Sequence, residues 1–290
     1  MKTLLLAGVT WAAAILAQPA SAEPITIVAA ENFYGDVATQ VGGANVAVTS
    51  ILSNPDDDPH LFETTPGVVR QIANAQVVIF NGTNYDPWME KLLKANSAPG
   101  RKQILAAALA GKKAGDNPHL WYNPATVAAV AKQLSADLTS VDPAHKVDYE
   151  KGSATFIQSL KPLEAKIAEM RKKYAGSAVT ASEPVFGDMA ALLGLKVRNE
   201  KFALAVMNNT EPSASEVAAF EDDLKNHKVK VMLYNAQASE PAVQRLLQIA
   251  REQRIPVVGV SETEPANSTY QQWMLSQLDT LDHALAGGVM

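Results

Sequence analysis

Four side chains of this 290-residue chain stand where chemistry could be done. His60 closes Asp58-Pro59-His60, shortly after a β-rich run, and His119 closes Asn117-Pro118-His119, just ahead of a helical pattern. Glu183 follows Ala178-Val179-Thr180-Ala181-Ser182, and Glu262 follows Val257-Val258-Gly259-Val260-Ser261, each at the end of a run that reads as a strand. Two neutral imidazoles and two carboxylates form a competent donor set for a first-row divalent ion. Nitrogen suits zinc, copper, nickel and iron, and hard carboxylate oxygen moves the preference toward manganese and iron. Two carboxylates also neutralise a divalent charge, which a partly buried cleft would otherwise hold at high cost.

Each residue type has a plainer use. A lone histidine is most often a surface or hydrogen-bonding residue, and His145, His227 and His283, in polar or terminal stretches, are assigned to that class. Ser182-Glu183-Pro184 also fits a helix N-cap, and Ser239-Glu240-Pro241 is read as one. Asp56-Asp57-Asp58 fits a solvated acidic turn, because no glycine or terminal glutamate follows at calcium-loop spacing. The chain holds no cysteine, which excludes disulfides, thiolate metal sites and thiol nucleophiles. H-E-x-x-H, G-x-S-x-G and phosphate-loop motifs are absent too.

The elements that must position these residues alternate. Ile25–Ala29 reads as a strand, Asn32–Val41 as a helix closed by Gly42-Gly43, and Val46–Leu52 as a second strand. Pro66–Ala75 is helical and Gln76–Phe80 extended; such alternation predicts parallel sheets flanked by helices. Pro124–Leu138 is a helix with Asn123 as its N-cap and proline in its first turn. Asp148–Tyr174 is charged, amphipathic and without a strand signal, and reads as a long helix kinked or broken near Pro162. Strand signals resume at Ser177–Ala181, Lys230–Tyr234 and Pro256–Val260. The expected architecture is α/β: a lobe over 23–141, a long rigid linking helix over 142–175, and a second lobe over 176–290. In open parallel sheets ligands bind beyond the carboxyl ends of the strands. A cleft between the lobes would receive two of the four residues from each.

The chain opens with a removable address. Met1-Lys2 is a short positive start, Leu4–Leu16 is an apolar run too short to span a membrane, and Ala20-Ser21-Ala22 is an A-x-A cleavage site. Residues 1–22 are therefore expected to be a signal peptide, with Glu23 as the mature terminus. With no cysteine to carry lipid, the product is expected to be periplasmic and free of a lipid anchor. Lysine and arginine number 25 against 30 acidic residues, without a basic block, which argues against nucleic acid as a partner.

The ordered motifs carry a family resemblance. Val48–Val69, running from Ile51-Leu52 through Asp58-Pro59-His60 to Glu63-Thr64-Thr65-Pro66, resembles the first ligand block of the zinc and manganese receptors of ABC importers. So does Ala75–Gly82 with Pro87-Trp88. Asn117-Pro118-His119-Leu120-Trp121 with Pro124 is similar to the second block, and Ser182–Phe186 ahead of Leu193-Gly194-Leu195 to the third. The resemblance spans essentially the whole mature chain. It implies two α/β lobes bridged by a rigid helix, with a divalent metal bound by His60, His119 and Glu183. The family's fourth ligand is usually an aspartate after the last major strand. A strict alignment puts Ser261 there, and a shift of one residue puts Glu262 there. Glu262 is taken as the ligand because a serine hydroxyl cannot cancel the remaining positive charge. Asn235 stands where relatives often carry an acid, and Arg101–Gly115 lacks the histidine-rich loop of many zinc-selective members.

The expected function is capture of Zn2+ or Mn2+ between the lobes by a monomeric receptor, and delivery to an ABC permease in the inner membrane, without catalysis. The rivals are a zinc-dependent periplasmic hydrolase, which would keep one coordination position open, and a metal buffer or adhesin without a permease.

Overall fold

The computed structural model describes residues 23–54, 62–237 and 240–288. His60, the 1–22 leader with its cleavage site, and Ser239 lie outside the described residues.

Alternation of β-branched runs with amphipathic stretches builds two parallel sheets. In the first lobe β1 (Ile25–Glu31) leads into α1 (Asn32–Gly42), and β2 (Val46–Leu52) returns parallel to β1. α2 (Pro66–Asn74) starts where the Thr65 hydroxyl accepts a bond from the Val68 N–H, with Pro66 fixing the first turn. β3 (Val77–Phe80), buried along its whole length, pairs with the other side of β1. α3 (Pro87–Ala95), β4 (Lys102–Leu105) and the single turn α4 (Ala106–Leu109) follow. α5 (Pro124–Val141) then begins at the expected cap, Asn123, whose side chain accepts from the Ala125 N–H.

The connection between the lobes is helical but in two pieces, α6 (Lys146–Ser159) and α7 (Lys161–Tyr174), interrupted at Leu160. Pro162 in the first turn of α7 has no N–H to continue the ladder of α6, which is why the break falls there.

The second lobe repeats the plan of the first. β5 (Ala178–Ala181), α8 (Gly187–Leu193), β6 (Lys196–Arg198), α9 (Glu200–Met207), α10 (Ala214–Lys225), β7 (Met232–Asn235), α11 (Pro241–Glu252), β8 (Val257–Val260) and α12 (Tyr270–Leu285) follow in order. Its strand order, β6-β5-β7-β8, matches the β2-β1-β3-β4 order of the first sheet. The edge strands β4 and β6, which no apolar pattern announces, carry Lys102, Gln103, Lys196 and Arg198; charge on an edge blunts pairing with other chains. Ser239, read as part of a cap, lies outside the described residues; Glu240 makes no side-chain cap to α11, and Glu183 makes none to the short 3-10 turn Pro184–Phe186.

One continuous apolar cluster runs through both lobes and includes Phe33, Trp121, Tyr122, Phe186, Tyr270 and Trp273. Smaller clusters around Phe80 and Met89, and around Phe220 and Leu246, support the two lobes separately. No described helix is long and apolar enough to cross a membrane.

Gly152 lies inside α6 and does not end it. A Cβ there would stand 2.2 Å from the Val41 carbonyl oxygen near the end of α1, so only glycine lets the two backbones touch. Gly152→Ala is expected to cost about 1–3 kcal/mol by overpacking this junction. Urea unfolding reads it as a lower midpoint at unchanged slope, and an unaltered midpoint would show that α1 and α6 part freely.

Candidate metal centre

His119 is held before it is used. It sits in the loop between α4 and α5, is 0% exposed, and packs edge-on against Trp121 at a ring-centroid distance of 5.3 Å, with Tyr85 at 6.0 Å on another side. Its backbone N–H donates to Asn117 Oδ1 at 3.1 Å, the two-residue turn that asparagine favours. Its ring Nδ1 lies 2.7 Å from the same oxygen. Asn81, at the end of β3, donates from Nδ2 to the Pro118 carbonyl at 2.7 Å and accepts at Oδ1 from the Tyr34 hydroxyl, which ties this loop to the first sheet.

Glu262 approaches from the end of β8 and is also 0% exposed. Asn235 Nδ2, at the end of β7, donates to its Oε1 at 2.6 Å, and the Gln237 side-chain oxygen accepts from its backbone N–H at 2.6 Å. The second carboxylate oxygen, Oε2, faces His119 Nε2 at 3.4 Å. Ser261 is engaged elsewhere: its hydroxyl accepts from Trp273 Nε1 and donates to the Thr263 carbonyl.

Electron counting decides what this pair can do. With Nδ1 donating to Asn117, Nε2 of a neutral ring carries a lone pair, and it faces a carboxylate oxygen that carries others. Either a proton or a cation must lie between them. A tetrahedral ion with bonds of about 2.1 Å keeps its donors about 3.4 Å apart, which is the separation found here. Glu183 is buried, and the next residue, Pro184, accepts a 2.9 Å bond from Asn117 Nδ2 across the lobes. Among the described residues no third acid or imidazole completes a group around His119 and Glu262. His145 bonds to Asp142, His227 occupies a left-handed turn after α10, and His283 lies in the last turn of α12, so none of these three joins the pair.

A second pair of acids lies at the strand ends of the first lobe. Asp86 accepts from the backbone N–H groups of Asn81 and Gly82, and burial still pushes it up to about 6. Burial, and then the proximity of Asp86, holds the Glu31 carboxyl well above the ordinary glutamate range. Burial and the neighbouring Glu262 likewise raise the Tyr85 phenol.

In the sequence Asn117 stood only as part of a motif and Asn235 only as the residue found where relatives often carry an acid, and neither had a role. The Asn-x-His spacing was a usable sign for Asn117, since an asparagine oxygen reaches the N–H two residues on. Asn235 and Gln237 carry no such sign, because their partner lies 27 and 25 residues away, beyond the end of another strand.

The family model described as ZnuA, zinc-uptake complex component A, periplasmic, matches residues 27–284. Similar proteins include the manganese-binding lipoprotein MntA of Bacillus subtilis (strain 168), 22% identical over 91% of this chain and 90% of its own length. The iron ABC transporter substrate-binding lipoprotein MtsA of Streptococcus pyogenes serotype M1 is 23% identical over 92% and 91%. Among solved structures, the periplasmic zinc binding protein TroA from Treponema pallidum superposes with a TM-score of 0.77 at 17% identity, over 91% of this chain and 99% of TroA.

The Glu31–Asp86 pair gives the metal-free chain a pH signature. Both carboxyls sit above their unfolded values, so the unfolded chain releases protons first as pH rises. The resulting penalty is absent well below about pH 4 and grows as pH climbs through about 6 and beyond. Glu31→Gln removes one of the two titrations and sets an amide against Asp86. Its stability relative to the unmodified protein is expected to rise between about pH 5 and about pH 8. Denaturant midpoints across that interval measure it, and a constant difference would show that Glu31 ionises freely in the fold.

Proposed function

The chain belongs to the family of ZnuA, the periplasmic zinc-uptake complex component A, and from that membership we propose that it captures a divalent transition-metal ion between its lobes and delivers it to an ABC importer. The observation that carries the reading is the convergence, in full burial, of His119 Nε2 from one lobe and Glu262 Oε2 from the other at 3.4 Å. The proposed ligands are His60, His119, Glu183 and Glu262. The two carboxylates balance the charge of the ion, and the mixed nitrogen and oxygen set suits Zn2+ or Mn2+; relatives are named for manganese and for iron.

In this reading the protein is a monomeric receptor without catalytic activity or affinity for nucleic acid. It comprises a lobe over 23–141, a helical link over 142–175 and a lobe over 176–290. Loops at the strand ends order over the ion while the lobes move little, and the loaded surface docks on the permease because its contacts differ from those of the empty form. The chain is read as exported, cleaved before Glu23 and free of lipid, unlike the lipoproteins MntA and MtsA. No cysteine is present to carry such a lipid. Intact mass of the periplasmic protein is expected to match residues 23–290; retention of Met1 or an added acyl mass would overturn the processing.

Metal titration of the stripped protein tests the site. His119→Ala and Glu262→Gln are each expected to weaken binding by more than about tenfold, the least that losing even a residue behind the ligands costs. Ser261→Ala and His227→Ala should leave affinity unchanged. Loss of binding in Ser261→Ala with retention in Glu262→Gln would move the fourth ligand back one residue. Metal analysis of protein taken from the native periplasm, without added metal, identifies the physiological ion.

A further inference from the structure

We propose that Asn117 is a positioning residue that couples the two halves of the metal centre, fixing the proton on His119 Nδ1 while bonded to the Glu183 loop of the opposite lobe. The proposal rests on the reading of His119 as a metal ligand.

The orientation of the Asn117 amide follows from its backbone partners. The Pro184 carbonyl can only accept, so the group 2.9 Å from it is Nδ2. The His119 backbone N–H can only donate, so the group 3.1 Å from it is Oδ1. Neither partner tolerates the flipped amide. Oδ1, thus fixed, lies 2.7 Å from the ring Nδ1, and an oxygen that can only accept requires the ring nitrogen to carry a proton. In the neutral ring Nε2 is then the bare nitrogen, aimed at Glu262 Oε2, which is the form a metal needs.

Glu262 pulls the other way. Without Asn117, a neutral imidazole would place its single proton on Nε2, where the carboxylate oxygen 3.4 Å away accepts it, and the ligand nitrogen would be blocked. The choice between the two tautomers is therefore made by one amide. That amide is seated by the second lobe as well as the first. A Cβ on Gly187, the first residue of α8, would lie 2.5 Å from Asn117 Nδ2. The missing side chain at Gly187 is what lets Asn117 reach across to Pro184, the neighbour of Glu183. A displacement of the Glu183 loop is thus transmitted to the tautomer of His119.

Nitrogen-15 correlation spectra of the imidazoles in metal-free protein read this directly, with the His119 signals identified by their loss in His119→Ala. The unmodified protein is expected to show a protonated Nδ1. Asn117→Asp gives up the Nδ2 bond to Pro184 but keeps an acceptor oxygen held by the His119 backbone N–H, and should keep that proton. Asn117→Leu and Gly187→Ala should each leave Nδ1 bare and Nε2 protonated, and weaken metal binding by about 10–100-fold, with circular dichroism unchanged. Gly187→Ala alters only the second lobe, so it keeps the test decisive if Asn117→Leu does not fold. A Nδ1 that stays protonated in Gly187→Ala and in any folded Asn117→Leu protein overturns the proposal. Tautomer changes in a protein that binds no metal would instead leave the positioning intact and remove the metal reading.

Discussion

Trp121 is wholly buried between the lobes, and the site depends on its being there. Phe33 of α1 stacks on it at 4.5 Å, and Tyr85, Tyr122 and His119 meet its other sides at 5.0, 6.0 and 5.3 Å. Aromatic pairs of this kind contribute about 0.5–1.5 kcal/mol each beyond the area they bury. Trp273 of α12 and Phe186, before α8, extend the cluster into the second lobe. Two sheets with separate strands therefore share one interior. Opening the cleft as a hinge would expose that interior to water, which leaves loop ordering as the less costly response to a ligand.

Polar bonds give the shared interior its register. The Tyr270 hydroxyl donates to the Trp121 carbonyl at 2.7 Å, and Tyr122 reaches the Ser261 carbonyl at 2.7 Å. Asn32 grips the backbone of Glu264 from both ends, donating to its carbonyl and accepting from its N–H. These bonds fix the loop after β8 against α1, and so fix the height at which Glu262 meets His119. The neutral amide of Asn235 is one hydrogen-bond donor to Glu262, and it orients the carboxylate without neutralising it. A buried carboxylate left with its charge requires a cation or a proton, and the geometry leaves that position opposite the imidazole.

The repeated strand order explains why both lobes deliver residues to one place. In each sheet the first strand is central, with the second strand on one side and the third on the other, so the crevice between first and third strands opens at their carboxyl ends. Glu31 and Asn81 occupy these ends in one sheet, and Ser182 and Asn235 in the other. Facing the two crevices toward each other makes a cleft lined by loops, where side chains can be exchanged while the sheets remain unchanged.

The amino-acid sequence by itself determined the alternation of strands and helices, the break near Pro162 and the α/β class, because apolar periodicity and proline act locally. It also marked His119, Glu183 and Glu262 as strand-end or turn residues, since each follows a run or motif that reads without neighbours. The edge strands β4 and β6 were illegible because charged edge residues mimic loops. Tertiary structure alone decided that Glu262, and not Ser261, turns its side chain to His119, since residues adjacent in a chain differ in direction according to partners such as Trp273 and Asn235. It alone decided the role of Asn117, whose two partners lie 2 and 67 residues away. Spacing can announce the near partner; the far one exists only once two lobes have packed around a common core.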